Sequence, residues 1–390
     1  MSSEVEGIQS GDDCDVLQIH NEDVEVLPVI EGKDDIPKVD HSYCSKANTT
    51  AVSTTSIQCQ TDVTLEDLSA YDDIHLKDKG SMRRSHVMND VLKNDASCKF
   101  YTGLSLGIFF LLLNSLKDKA ARLSYWRGKE TNLENNEMKR RGPKRLLSIR
   151  EEMVMTLMRL RRGIDTKTLG AIFGVQAGTV SKIFFTWTTF LALELKFLIS
   201  WPTRNQIAQK LPSCFKYFPS TRCIIDCTEF FIQKPSLPSS QRITWSSYKH
   251  HNTLKSLIAI TPTGSICFLS SLFTGSISDK RIVEESGFLE CIERGDDIMA
   301  DRGFLIRGNL ALKGATLNIP PFAFNRQLSG LAVTKTRRIA RARIHVERAI
   351  GRLKCFNILQ GVIPLKLKPI IDQIVCLCAA LCNLDHQLVK

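Results

Sequence analysis

The stretch that decides the fold is residues 222–232, RCIIDCTEFFI. Its apolar and β-favouring residues follow a period of two, the mark of a strand rather than a helix. Two further runs read the same way: Thr253–Thr261 (TLKSLIAIT) and Ser265–Phe273 (SICFLSSLF), separated by Pro262-Thr263-Gly264 as a hairpin turn. Asp226 stands in the middle of the first run, among Cys, Ile and Ile, where a carboxylate without a donor or a metal is expensive to bury. Alternation turns Glu229 to the other face of the strand.

Downstream the pattern becomes mixed. A helix is expected over Asp279–Ile292, with Asp279 as its N-cap, then a short strand Asp297–Ala300 and a long Arg-rich helix from about Thr334 to Leu353. Strands followed by alternating helix and strand make a mixed α/β layer. Asp301 follows the short strand directly, at the carboxyl end where open α/β sheets place ligands. On the long helix, Ile339, Ala342, Val346, Ala349 and Leu353 form the buried stripe. Arg343, Glu347 and Lys354 fall on a second stripe roughly 100° round from it.

Three carboxylates, Asp226, Asp301 and Glu347, suit divalent cations, Mg2+ or Mn2+, which prefer oxygen ligands and stabilise attacking and leaving oxygens in phosphodiester chemistry. The plain alternative is that each is structural, with Asp301 bonding its own turn and Glu347 pairing with Arg343 four residues back. Asp279 is a rival or supporting carboxylate. His250, in a loop beside Tyr248 and Lys249, is a candidate DNA contact or an ordinary solvent-facing histidine.

Upstream, Ser148 and Glu151 form a capping box ahead of an apolar face at Val154, Leu157, Met158 and Leu160. A second helix starts at Asp165 and stops at Gly174, and a third begins near Ala177. This is a helix-turn-helix layout, in which Gln176, Thr179, Ser181 and Lys182 face a DNA groove while Leu169, Ile172, Val175, Val180, Ile183 and Phe184 pack inside. A plain helical bundle has the same apolar spacing.

Charge divides the chain. Residues 1–80 carry 18 Asp/Glu and 5 Lys/Arg, net −13, whereas residues 81–390 carry 23 acids and 47 bases, net +24. The basic body suits a polyanion such as DNA, and Arg337, Arg338, Arg341 and Arg343 with Lys354 are its candidate phosphate contacts. The acidic head reads as a disordered tail over 1–90. It is followed by a helical segment and a basic linker (91–145), the helix-turn-helix region (146–200) and an α/β nuclease domain (201–390). The cluster Lys139-Arg140-Arg141-Gly142-Pro143-Lys144-Arg145 is a candidate nuclear-import signal or phosphate-contacting arm.

Thirteen cysteines, an odd number with no Cys-x-x-Cys pair, read as reduced thiols of a nuclear or cytoplasmic protein. The most apolar run, Leu104–Leu116, is shorter than the roughly 18–20 residues a bilayer requires, so no membrane partner is expected.

In order along the chain, the segments IIDCTEFFIQKPS, YKHHNTLKSLIAITPTGSI, GSISDKRIVEESG, MADRGF, IPPF and RIHVERAIGRLK resemble the DDE-superfamily transposases of the PIF/Harbinger type. LSIREEMVMTLMRLRRGIDTKTLGAIFGVQAGTVSKIF resembles the helix-turn-helix that often precedes their nuclease. The resemblance covers about residues 90–365. It implies a ribonuclease H-like mixed sheet, an Asp226-Asp301-Glu347 triad holding two Mg2+ or Mn2+ ions, and cleavage of DNA at transposon ends. Arg343, Glu347 and Lys354 also match the R-x3-E-x6-K spacing of related insertion-sequence transposases, although the tyrosine expected three positions before the arginine is Ala340. No zinc-binding spacing opens the chain, so recognition of DNA ends falls to the helix-turn-helix or to a separate DNA-binding partner protein. Pairing two ends calls for a homodimer or higher assembly. The alternative function is a domesticated DNA-binding or scaffold protein that keeps the fold without catalysis.

Overall fold

Strand β1 (Thr221–Phe231) realises the alternation of residues 222–232. The computed structural model describes residues 81–126, 145–321 and 329–389. Most of the expected tail, nearly all of the basic linker and the end of the IPPF segment lie outside the described residues. Antiparallel to β1 runs β3 (His251–Ile260), with Asp226 opposite Ile258 and Glu229 opposite Lys255. The outer edge of β3 is shared by three short strands: β2 (Trp245–Ser246), β4 (Ile266–Leu269) and β5 (Phe273–Thr274). On the other side of β1, β6 (Asp297–Met299) and β7 (Thr316–Asn318) are parallel to it. The order β2-β3-β1-β6-β7, with β4 and β5 on β3, is a mixed sheet.

Period-two alternation gives this sheet two apolar faces. Cys223, Ile225, Leu257, Ala259, Ile298 and Ala300 pack on one side with Ile282, Val283, Phe304 and Leu310. These last belong to α9 (Asp279–Glu285), the loop after β6 and α10 (Arg307–Leu312). On the other side Ile224, Phe230, Ile258, Ile260 and Met299 meet α11 (Gly330–Lys354) and α12 (Ile371–Asn383). Helices therefore cover both faces of a mixed sheet, the ribonuclease H-like arrangement. A short helix, α8 (Pro238–Thr244), fills the connection from β1 to β2.

The helical part begins with α1 (81–91), α2 (Asp95–Thr102) and α3 (Leu106–Ala121). Helix α1 shortens the expected tail: Met88 and Val91 are buried, and Arg84 donates to the Phe173 carbonyl at 3.1 Å. Then come α4 (Ile149–Arg162), α5 (Thr166–Phe173) and α6 (Ala177–Leu195), with α7 (Arg204–Gln209) leading to β1. Both halves of the Ser148–Glu151 capping box are made, and Asp165 caps α5 by accepting from the Lys167 and Thr168 amides. Gly170 allows the tight return into α6, since a Cβ there would stand 2.5 Å from the Val175 carbonyl oxygen. Helix α6 lies against α12, so the helix-turn-helix and one face of the sheet share a single core. No single helix among the described residues is long and apolar enough to cross a membrane.

Three local readings need correction. The run 265–273 divides into β4 and β5 because Ser270 turns inward, its hydroxyl accepting from the Leu257 amide at 2.9 Å. The helix expected over 279–292 ends at Glu285, because Gly287 adopts φ +77° and restarts the chain as a short 3-10 turn. Its N-cap is Ser278, whose hydroxyl accepts from the Arg281 amide, and Asp279 is the first helical residue.

Candidate metal and nucleic-acid site

Asp226 and Asp301 lie 75 positions apart in the chain and come together through strand register. Strands β1 and β6 are parallel and pair Ile224 with Met299. Two residues further along each chain, on the same face, stand Asp226 and Asp301. Asp226 is half-buried and accepts from the Cys227 amide at 2.8 Å. Burial pushes its carboxyl up to about 6, against the pull of that amide and of Arg343, while Asp279 and Asp301 push it further up. Asp301 is 53% exposed and accepts from the Arg302 amide at 2.8 Å and from Arg343 Nη1 at 3.1 Å.

A carboxyl raised in the folded state favours its neutral form, so folding loses stability as pH rises from the ordinary value of 3.8 through about 6. Asp226→Asn should therefore melt higher than the parent above pH 6 in chelator-treated buffer and match it near pH 4. Thermal unfolding at stepped pH measures this. A variant less stable at every pH would make the carboxylate a structural acceptor instead.

Helix α11 lies over the face that carries both aspartates. Arg343 points to Asp301, and Glu347 follows one turn later on the same side of the helix. Glu347 is exposed and makes no hydrogen bond or ion pair among the described residues; the pairing with Arg343 considered above does not form. Among those residues no three His, Cys, Asp or Glu side chains stand close enough to ligate one ion. The donor set nonetheless suits a hard cation: two carboxylates converge, one is desolvated, and a guanidinium balances their charge. Completing the triad requires Glu347 to turn inward and the Arg343–Asp301 pair to open.

Lys354 closes the other end of the helix. Its ammonium lies 5.9 Å from the centre of the Phe230 ring, four residues along β1 from Asp226. Burial lowers its pKa, and so does Lys249, against Glu229 and Asp226. Lys249 belongs to the tip of the β2–β3 hairpin, where the Lys249 amide donates to the Ser246 hydroxyl and the His250 amide to the Ser246 carbonyl. His250 is exposed at φ +53°, and Tyr248 is 78% exposed beside Lys249. The approach of Lys249 to Lys354 has no signal in the sequence, because more than a hundred residues separate them.

The remaining residues divide. Lys255 ties Asp279 (3.2 Å) to Glu229 (3.7 Å) on the sheet face opposite Asp226. Arg337 and Arg341 are exposed on α11. Arg338 is exposed 3.7 Å over the centre of the Tyr217 ring and lines a cavity with Asp297, at the amino end of β6 and away from Asp301. In the helix-turn-helix, Gln176 is the exposed N-cap of α6 and Lys182 is exposed. Thr179 and Ser181 are half-buried, and Ser181 donates to the Ala177 carbonyl at 3.1 Å. Leu169, Val180, Ile183 and Phe184 are buried; Ile172 and Val175 are partly so.

Residues 225–383 match a family described as DDE superfamily endonuclease, and residues 144–197 match one described as helix-turn-helix of DDE superfamily endonuclease. The chain is 23% identical over 261 residues to "Protein ALP1-like" of Arabidopsis thaliana. That alignment covers 61% of this chain and 61% of the relative's length. No solved structure matches.

Proposed function

Since the chain belongs to the DDE superfamily of endonucleases and carries that superfamily's helix-turn-helix ahead of the nuclease, we propose that it is a Harbinger-type transposase, or a nuclease derived from one. It acts on DNA phosphodiesters in the nucleus. The observation that carries this reading is the parallel register that sets Asp226 beside Asp301 under α11.

Asp226, Asp301 and Glu347 are the residues that would hold the divalent ions. Mg2+ or Mn2+ supplies positive charge at the attacking and leaving oxygens of the phosphodiester. Arg343 and Lys354 hold phosphate oxygens at the margin of the site, with Arg337 and Arg341 extending the basic surface along α11. Gln176, Thr179, Ser181 and Lys182 present the front of α6 to duplex DNA. Water is the nucleophile for cleavage, and a DNA 3′-hydroxyl takes its place for joining. Pairing of two DNA ends is assigned to a homodimer or larger assembly, with or without a separate DNA-binding partner.

A second reading, a domesticated DNA-binding protein without catalysis, is favoured by the Arg343–Asp301 ion pair and by Glu347 having no partner among the described residues. Plasmid nicking in Mg2+ or Mn2+ separates the two. The proposal expects nicking by the parent and none by Asp226→Ala or Glu347→Ala. A folded parent that binds DNA and leaves the plasmid intact decides for the second reading.

A further inference from the structure

Two helices end at one cavity. Helix α4, the first of the helix-turn-helix region, delivers Arg161 and Arg162; the end of α11 and the turn after it deliver Lys354, Asn357 and Gln360. The cavity is open and encloses about 440 Å3. Every side chain just named is a hydrogen-bond donor, and no acidic residue among the described ones lines the cavity.

The two guanidiniums are held by rings rather than carboxylates. Arg162 sits 4.0 Å from the centre of the Phe100 ring, and Arg161 sits 5.5 Å from that of Phe356. A guanidinium stacked on a ring keeps its edge N–H groups free for an oxyanion. Neither has an ion-pair partner among the described residues. Basic residues in a helix's last turn also complement its dipole. That accounts for Arg161 and Lys354 separately, but not for two helix ends opening on one cavity whose described lining holds no acidic residue.

The cavity adjoins the site through Lys354, which packs over Phe230, four residues or roughly 13 Å of strand from Asp226. We propose that this cavity binds a backbone phosphate of the DNA strand next to the scissile one, so that the helix-turn-helix region contributes directly to the nuclease's substrate channel. The inference rests on the DNA-cleaving reading above and names a contact which that reading does not require.

The test uses the full chain and a fluorescein-labelled DNA duplex of mixed sequence, titrated by anisotropy at stepped potassium chloride concentrations. Losing one phosphate contact flattens the slope of log affinity against log salt by about 1 and weakens binding roughly tenfold at ~0.1 M salt. That result is expected of the Arg161→Gln/Arg162→Gln double variant. Arg162→Lys, which keeps the charge, should retain the parent's slope, as should the charge-matched pair Lys117→Gln/Lys313→Gln on other surfaces. Asn357→Asp keeps side-chain shape, adds a negative charge inside the cavity, and should weaken binding as the double variant does. It serves if the double variant's circular dichroism departs from the parent's. Parent-like slopes in both cavity variants, or an equal loss in the charge-matched pair, would overturn the cavity alone. A folded parent with no affinity for the duplex would overturn the DNA-cleaving reading itself.

Discussion

Asp301→Asn is expected to abolish metal-dependent cleavage, by at least ~10^3-fold, while leaving DNA affinity intact or higher. Removing one preorganised charged group from an electrostatic site typically costs two to three orders of magnitude, and here the lost charge is also one of the proposed metal-binding oxygens. Asparagine keeps the side chain's shape, so its oxygen still accepts from the Arg302 amide. Because Asp301 lies 53% exposed at the end of β6, the folding cost should be small. Affinity is retained for two reasons: a negative charge beside the substrate phosphate disappears, and Arg343 is released from its 3.1 Å ion pair. Cleavage and anisotropy measured on one preparation check this. Parallel loss of both activities would show that Asp301 holds the fold and not the chemistry.

Glu152→Ala should produce the largest loss of stability. Glu152 lies on the first turn of α4 with its side chain fully buried. Its carboxylate accepts from Trp187 Nε1 at 2.6 Å and from the Tyr125 hydroxyl, with Arg145 Nη1 3.8 Å away. Burial and the Glu152 carboxylate both push the Tyr125 hydroxyl's pKa up, so it remains a donor. Removing the carboxylate strands the indole and phenol donors and takes a negative charge from beside Arg145, which keeps its bonds to the Ala120 and Leu123 carbonyls, a loss of about 3–5 kcal/mol. For a domain of this size that is a fall of about 5–10 °C in melting temperature. The indole belongs to α6, so the same change should loosen the proposed recognition helix and weaken duplex binding. Glu152→Gln keeps an acceptor and should lose less. A Glu152→Ala melting temperature within a degree of the parent's would mean that apolar packing alone fixes α4 against α6.

Much of the fold was legible in local pattern. Alternation in 222–232 marked β1, the Ser148–Glu151 box marked the start of α4, and Asp165 and Gly174 bounded α5. The apolar stripe on α11 emerged as read, with Ile339, Ala342, Val346, Ala349 and Leu353 buried. Where local signals were weak, the reading fell short. Strand β7 has only three residues, and α1 is a mostly polar helix whose place depends on Met88, Val91 and the Arg84 contacts.

The sequence by itself determined which residues face a core and which carboxylates are costly to bury, because side-chain periodicity is a property of neighbouring residues. It could not determine which charges meet. Tertiary structure alone set Asp226 beside Asp301 through the β1–β6 register, gave Arg343 to Asp301 instead of Glu347, turned Arg338 onto Tyr217, and opened two helix ends on one basic cavity. The physical reason is that a long charged side chain reaches whichever partner packing brings within a few ångströms, and strand order and helix docking make that choice among residues far apart in the chain.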